Sequence, residues 1–335
     1  MKFRIPVGVI FLWPMVSSCG PETTAAPVDD LVAAEGANEV LPWAFVLNDP
    51  APPDAVAPDP EEIVTVPGSA LSMRRAEIAI DNGPPDWHPD GRPPMPEVVA
   101  RGGGEGALAC GYCHLPNGQG KPENAGLAGQ PFEYLVQQMA DYRNELRKTG
   151  DTRMGPPTLM MGIGAAATEE EARIAAAYFS RLDFKPWIRV VETDSVPVTR
   201  FAGWIHEIAE GAGKEPIGVR IVEIPEDLER TKLRDDASGF IAYVPRGAVA
   251  RGEDLVTTGS DGRTACTVCH GPDLRGLGPV PALAGRSPSY MARQLYDLKH
   301  GNRQGAWSEL MVDIVATLTI QDVVDIVAYT ASLEP

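Results

Sequence analysis

Two short stretches decide how this chain is read: Cys110-Gly111-Tyr112-Cys113-His114 and Cys266-Thr267-Val268-Cys269-His270. On one helical turn, residues at i, i+3 and i+4 share a face, so two thiols and an imidazole project together. That arrangement suits a covalent clamp on the two vinyl groups of a porphyrin with the histidine turned to its iron, and the spacing is that of c-type haem attachment. A redox dithiol or half of a zinc site can use the same cysteine pair. A histidine directly after each of two pairs favours haem. The motifs therefore predict two haem c groups, attached at Cys110, Cys113, Cys266 and Cys269, with His114 and His270 as iron ligands.

Working outward, a shift of 156 residues superposes more than the motifs: Leu127-Ala128-Gly129 falls on Leu283-Ala284-Gly285, Tyr134 on Tyr290, Gln138 on Gln294 and Arg147 on Arg303. Beyond the arginine the offset becomes 151, where Thr168 matches Thr319, Ala177-Tyr178 matches Ala328-Tyr329, and Met160 falls on Met311. The chain thus holds one module twice. A thioether at the same place in both copies is what a sixth iron ligand requires, and His/Met ligation raises the potential of a haem. Methionines are also common core fillers, and Met161 and Met154 stand close by as rivals of Met160. Each matched threonine precedes an acidic residue by three positions, a helix-start signature, which predicts closing helices over 168–182 and 319–333. A further helix is predicted over 131–147 and its copy over 287–303. Arg147 and Arg303 are candidates to neutralise haem propionates; a solvated arginine at a helix end is the alternative.

The remaining sequence bounds the function. The 335 residues carry a net charge of −17, which repels polyanions and excludes nucleic acid as a partner. Residues 20–96 hold fourteen acids against three bases and fifteen of the 32 prolines, the composition of a solvated, partly extended arm. Pro84-Pro85-Asp86-Trp87-His88-Pro89 within it is a candidate docking stretch. Met1-Lys2-Phe3-Arg4, followed by an apolar run to Val16, reads as an export signal. The run ends Val16-Ser17-Ser18-Cys19-Gly20, which resembles a bacterial lipoprotein signal, with Cys19 as the lipid anchor; an ordinary secretory signal is the alternative. Residues 186–245 contain strand-like runs at Trp187 to Glu192, Ile217 to Ile224 and Phe240 to Val244, consistent with a small β ribbon. Single histidines at 88, 206 and 300, and the glycine-rich Arg101-Gly102-Gly103-Gly104-Glu105-Gly106, carry no comparable signal.

Both halves resemble class I cytochrome c domains, and the pair resembles the dihaem cytochromes of the c4 type, over about 97–185 and 246–335. The resemblance implies a mainly α fold: two small helical domains, a β-containing connecting segment at 186–245, and an irregular arm at 20–96 after a signal at 1–19. It implies His114 and Met160 on the first iron, His270 and Met311 on the second, and a periplasmic shuttle passing electrons from a redox-protein donor to an acceptor. Family members usually carry a proline two residues before the Leu-Ala-Gly element, whose carbonyl orients the ligand histidine; Pro281 fits, while the first copy has Ala125. A cytochrome subunit of a membrane-associated dehydrogenase or oxidase complex is the runner-up, and a dihaem peroxidase or thiosulfate-oxidising enzyme fits less well, since both copies carry the methionine and no exported cysteine is spare.

Overall fold

The computed structural model describes residues 40–335 apart from 54, 105 and 261. The predicted export signal, Cys19 and residues 20–39 of the arm lie outside the described residues. Two very short strands, β1 (Ile63–Val64) and β2 (Met73–Arg74), pair antiparallel within the arm. The first module then runs through α1 (Glu97–Ala100), α2 (Cys110–His114), α3 (Phe132–Arg143), α4 (Gly155–Ala166) and α5 (Glu169–Phe179). The second repeats the order with α7 (Ala248–Thr258), α8 (Thr267–His270), α9 (Pro288–Lys299), α10 (Glu309–Ala316) and α11 (Ile320–Ser332).

Local chemistry accounts for these elements. Thr168 and Glu171 exchange hydrogen bonds at the start of α5, as do Thr319 and Asp322 at the start of α11, so each closing helix opens with a capping box. Helix α7 crosses α11 at Gly252, where a β-carbon would lie 2.0 Å from the Asp325 carbonyl oxygen. Its counterpart α1 is only four residues long because Pro93, Pro94 and Pro96 stand where the helix would otherwise extend backwards. Helices α3 and α9 stop short of the predicted 147 and 303. The chain leaves helical geometry at Glu145 (φ 57°) and at Gly301 (φ 70°), the same repeat position occupied once by a strained residue and once by a permissive one.

That early exit brings the modules together. Lys148 N–H donates to the Asn302 carbonyl at 2.7 Å, and Gln304 N–H donates to the Leu146 carbonyl at 2.7 Å, closing a bridge between Arg147 and Arg303. Because 146 and 302, and 148 and 304, are equivalent positions of the repeat, the junction is self-complementary, as an interface between two like subunits would be.

Between the modules lie β3 (Ile188–Thr193), β4 (Ser195–Pro197), β5 (Thr199–Ala202), β6 (Ile205–Ile208), β7 (Lys214–Pro216), β8 (Val222–Pro225), the short helix α6 (Leu228–Lys232) and β9 (Phe240–Pro245). The sheet order is β3-β9-β8: β3 runs parallel to β9 with Ile188 opposite Phe240, and β8 runs antiparallel to β9 with Val222 opposite Tyr243. In β9, Phe240, Ala242 and Val244 are buried on one face, and Trp187 and Phe240 pack with Leu115 of the first module. The strands of the two-stranded pairs β4/β7 and β5/β6 are too short to carry a period-2 pattern in the sequence.

The reading of the arm as a solvated spacer is corrected within the described residues. Leu41, Trp43, Ala44 and Phe45 are buried in the core of the second module, with Phe45 edge-on to Tyr296 at 5.2 Å, and Val46 beside them is buried too. Val64, Val66 and Trp87 form a separate apolar cluster with Leu233, and the Trp87 indole donates to the Leu233 carbonyl at 2.7 Å. Average composition hid a continuous apolar stretch, Val40 to Leu47, whose removal from water offsets the cost of ordering it.

Candidate functional site

The site begins at the two histidines. The imidazoles of His114 and His270 are buried, and burial holds both below the usual histidine range, so each ring is neutral. His114 Nδ1–H donates to the Ala125 carbonyl at 2.8 Å and His270 Nδ1–H to the Pro281 carbonyl at 2.8 Å. A neutral ring donating from Nδ1 keeps its lone pair on Nε2, the atom an iron would take. Proline is thus not needed at 125. The carbonyl is placed by the loop's own backbone: Gly120 N–H donates to the His114 carbonyl at 3.0 Å and Leu127 N–H to Gly118 at 2.7 Å, matched in the second copy by Gly276 to His270 at 2.9 Å and Leu283 to Leu274 at 2.7 Å. The turn after each histidine has positive φ, at Leu115 and at Gly271.

Above His114 opens a cavity with ≈ 1330 Å³ of empty space, its mouth included, walled mainly by apolar side chains such as Leu135, Ile163 and Phe179. Cys110, Cys113 and His114 lie on its wall together with Met160 of α4. Of the three candidate methionines, Met160 alone lines this cavity; Met154 is wholly buried in the core shared with Trp43 and Phe45, and Met161 faces elsewhere. The four motif cysteines form no disulfide. Burial pushes the Cys110 thiol up to about 12, which leaves it a poor thiolate and disfavours a redox dithiol. In the second module Met311 stands early on α10, partly buried against the same core as Cys266, while Cys269 is exposed and His270 buried.

Arg147 and Arg303 are not solvated helix ends. Both are buried at the junction of the modules. Arg147 donates to the Gln138 side-chain oxygen at 2.8 Å and to the Tyr290 hydroxyl and Gln294 oxygen at 3.0 Å each; Arg303 donates to Gln138 at 2.7 Å and Gln294 at 3.3 Å. The repeated Gln and Arg of each copy therefore meet their equivalents across the junction. Two guanidinium charges share neutral acceptors, and Arg303 Nε has no partner among the described residues. Buried like charges of this kind call for an anion. Arg147, with Tyr290, Arg293 and Gln294 of the second module, reaches the first cavity. Asp297 lines the same cavity and attracts both guanidiniums; beside it, Arg147 and Arg303 could hold the propionates of a haem, so the residues present fit the group.

No known family profile matches the chain. Cytochrome c-554(548) of Halomonas halodenitrificans is 36% identical over 89 residues, 26% of this chain and 99% of that protein. The chain belongs to the c-type cytochromes. Cytochrome c4 of Azotobacter vinelandii is 27% identical over 240 residues, 70% of this chain and 89% of that protein. A thiosulfate dehydrogenase electron acceptor of Thiomonas intermedia is 27% identical over 220 residues, 64% of this chain and 73% of that protein. This cytochrome carries two haem c groups on two class I domains and transfers electrons.

Several residues that shape the site carried no sequence signal. Arg286 donates to the carbonyls of Gly126 and Ala128 at 2.8 and 2.9 Å, and Gln130 exchanges two 3.0 Å bonds with the backbone of Ala282, locking the two Leu-Ala-Gly elements together. Arg293 joins the arm to the first haem loop through the carbonyls of Ala44 and Pro122. Arg234 lies 3.6 Å over the ring of Tyr112, inside the first motif, and donates to its carbonyl at 2.7 Å. Arg286 and Arg293 replace Gln130 and Gln137 of the first copy, so a search for identical repeat positions passes over them.

Proposed function

We propose that this cytochrome is an exported, lipid-anchored electron carrier whose two haems are each held by two thioether links and a His/Met ligand pair. The first site uses Cys110, Cys113, His114 and Met160, and the second Cys266, Cys269, His270 and Met311. The observation that carries the reading is the first cavity, whose lining includes both one motif and its repeat-matched methionine. When bound, the haem iron supplies a reversible one-electron couple. The protein's part is to keep both axial positions filled in either oxidation state, so that little rearranges on electron transfer. Nδ1 bonds to Ala125 and Pro281 fix the imidazoles, apolar walls exclude water, and Arg147 and Arg303 hold the propionates. Export follows from the sequence of residues 1–19, with the anchor at Cys19 and the periplasm as the compartment; among the described residues no helix is long and apolar enough to cross a membrane.

The partners are redox proteins. A donor of the thiosulfate dehydrogenase class draws support from the acceptor named among the relatives. Service as a cytochrome subunit of a larger dehydrogenase complex is the second reading, favoured by the arm and the β-containing segment, which add surface around the modules. Potentiometric titration of the purified holoprotein, with peroxide turnover measured alongside, tests the carrier reading. Two reversible one-electron waves and no peroxide consumption above that of a simple cytochrome c are expected. Rapid peroxide turnover at one haem would overturn it.

A further inference from the structure

Outside the haem sites, one cluster of metal-ligating groups joins the arm to the connecting segment. His88 Nε2 lies 2.9 Å from Asp235 Oδ1, and ligand atoms of His88, Asp235 and Asp236 all fall within 4.8 Å of one another. Zinc–ligand bonds of about 2.0–2.2 Å set tetrahedral ligand atoms roughly 3.5 Å apart, so the three groups must draw slightly together to share one ion. The three residues differ in how well they are partnered. Asp235 is satisfied: its Oδ1 also accepts from Ala237 N–H at 2.9 Å, and its Oδ2 accepts from Arg230 at 2.6 Å. Asp236 is 5% exposed, and its Oδ1 has no hydrogen-bond partner among the described residues. It lines, with His88 and Asn117, a second cavity against the first haem module.

The neighbouring cations do not supply the partner. Arg92 gives its two terminal nitrogens to the Tyr178 hydroxyl and to Asp86; it attracts Asp236 electrostatically without a hydrogen bond to it, and its Nε has no partner among the described residues, while Arg230 is engaged by Asp235. Lys185 and Arg189 line the same cavity but are exposed to solvent. A buried carboxylate oxygen facing a cavity without a donor is costly unless a cation or a proton meets it. An imidazole beside two carboxylates suits a first-row transition ion better than calcium or magnesium, which take oxygen ligands and more of them.

We infer that His88, Asp235 and Asp236 form a binding site for a divalent transition-metal cation of the zinc type, separate from either haem. The site ties three parts of the chain together. His88 belongs to the arm; Asp235 and Asp236 belong to the segment whose Arg234 covers Tyr112; and Asn117, three residues past the first ligand histidine, donates to the Asp236 carbonyl at 2.5 Å. Occupancy pins the arm over the first haem motif.

The test uses the holoprotein with both haems attached. Zinc chloride is titrated by calorimetry, and metal content is measured after gel filtration, for the wild type and for Asp236→Asn and His88→Gln, each checked for an unchanged haem spectrum. His88 is partly exposed, so its variant probes the site even where the buried aspartate is less tolerant. The expected result is one zinc per chain in the wild type and at least tenfold weaker binding in both variants. Absence of stoichiometric zinc, or wild-type affinity in either correctly folded variant, overturns the site.

Discussion

Alanine at Gly252 tests the helix crossing that builds the second domain. A β-carbon there would sit 2.0 Å from the Asp325 carbonyl oxygen, 2.6 Å from its carbon and 2.7 Å from Tyr329 Cβ. Ordinary contacts of this kind exceed 3 Å, so α7 must withdraw from α11 by roughly 1 Å. The two bonds from Arg251 to the Asp325 carboxylate, both 2.8 Å, are strained by the same movement. Overpacking of this order costs about 1–3 kcal/mol, and the better helix propensity of alanine returns at most about 1 kcal/mol. The expected net loss is about 1–2 kcal/mol, which at roughly 2–4 °C per kcal/mol for a chain of this size lowers the melting midpoint by about 2–8 °C. Gly162 in α4 supplies the contrast, since a β-carbon there meets nothing within 4 Å and the position is exposed. Gly162→Ala should raise the midpoint by about 2–4 °C through propensity alone. Circular dichroism melts of the two holoproteins read both signs in one experiment. A Gly252→Ala protein as stable as the wild type would refute the close crossing.

Three further outcomes follow from the geometry. Met160→Ala should open the first iron to carbon monoxide in the reduced protein while Met161→Ala leaves it closed, as read by optical difference spectra; the reverse pattern would reassign the ligand. Trp87→Ala removes a side chain that is 1% exposed and donates to Leu233, so the arm cluster should lose about 3–5 kcal/mol, and limited proteolysis should cut within 60–95 much faster; an unchanged digestion rate would show that the tryptophan does not hold the arm. Burial lowers the His206 imidazole to about 4, so the folded protein keeps it neutral while the unfolded chain takes up a proton near 6.5. Its contribution is complete above about pH 6.5 and is lost as pH falls toward 4, about 3 kcal/mol at 1.36 kcal/mol per pH unit. Urea midpoints of the wild type should fall relative to His206→Gln across that window, and parallel midpoints would exclude the effect.

Much of the haem-binding half of the molecule was legible because its chemistry is local. The Cys-x-x-Cys-His spacing needs one helical turn, and the repeat exposed the paired methionines and the capped closing helices without any tertiary information. Elements set by contacts between distant residues were not legible. Arg147 and Arg303 read equally well as propionate partners or as surface charges, because only the folded junction shows that Gln138, Gln294 and the Tyr290 hydroxyl accept their hydrogen bonds. The absent proline at Ala125 looked like a weakness in the support of His114. The carbonyl is placed by backbone bonds of the loop, which leave no mark on side-chain identity. The buried stretch from Leu41 to Val46 was lost in the acidic, proline-rich average of its surroundings.

The central claim is that both irons are closed by a histidine and a methionine. The oxidised holoprotein's weak charge-transfer band from methionine sulfur to ferric iron, quantified per haem, tests it most directly. The account predicts the full intensity of two methionine-ligated haems, with one band's worth lost in Met160→Ala and one in Met311→Ala. A wild-type intensity of a single haem, or a band untouched by either substitution, would contradict it.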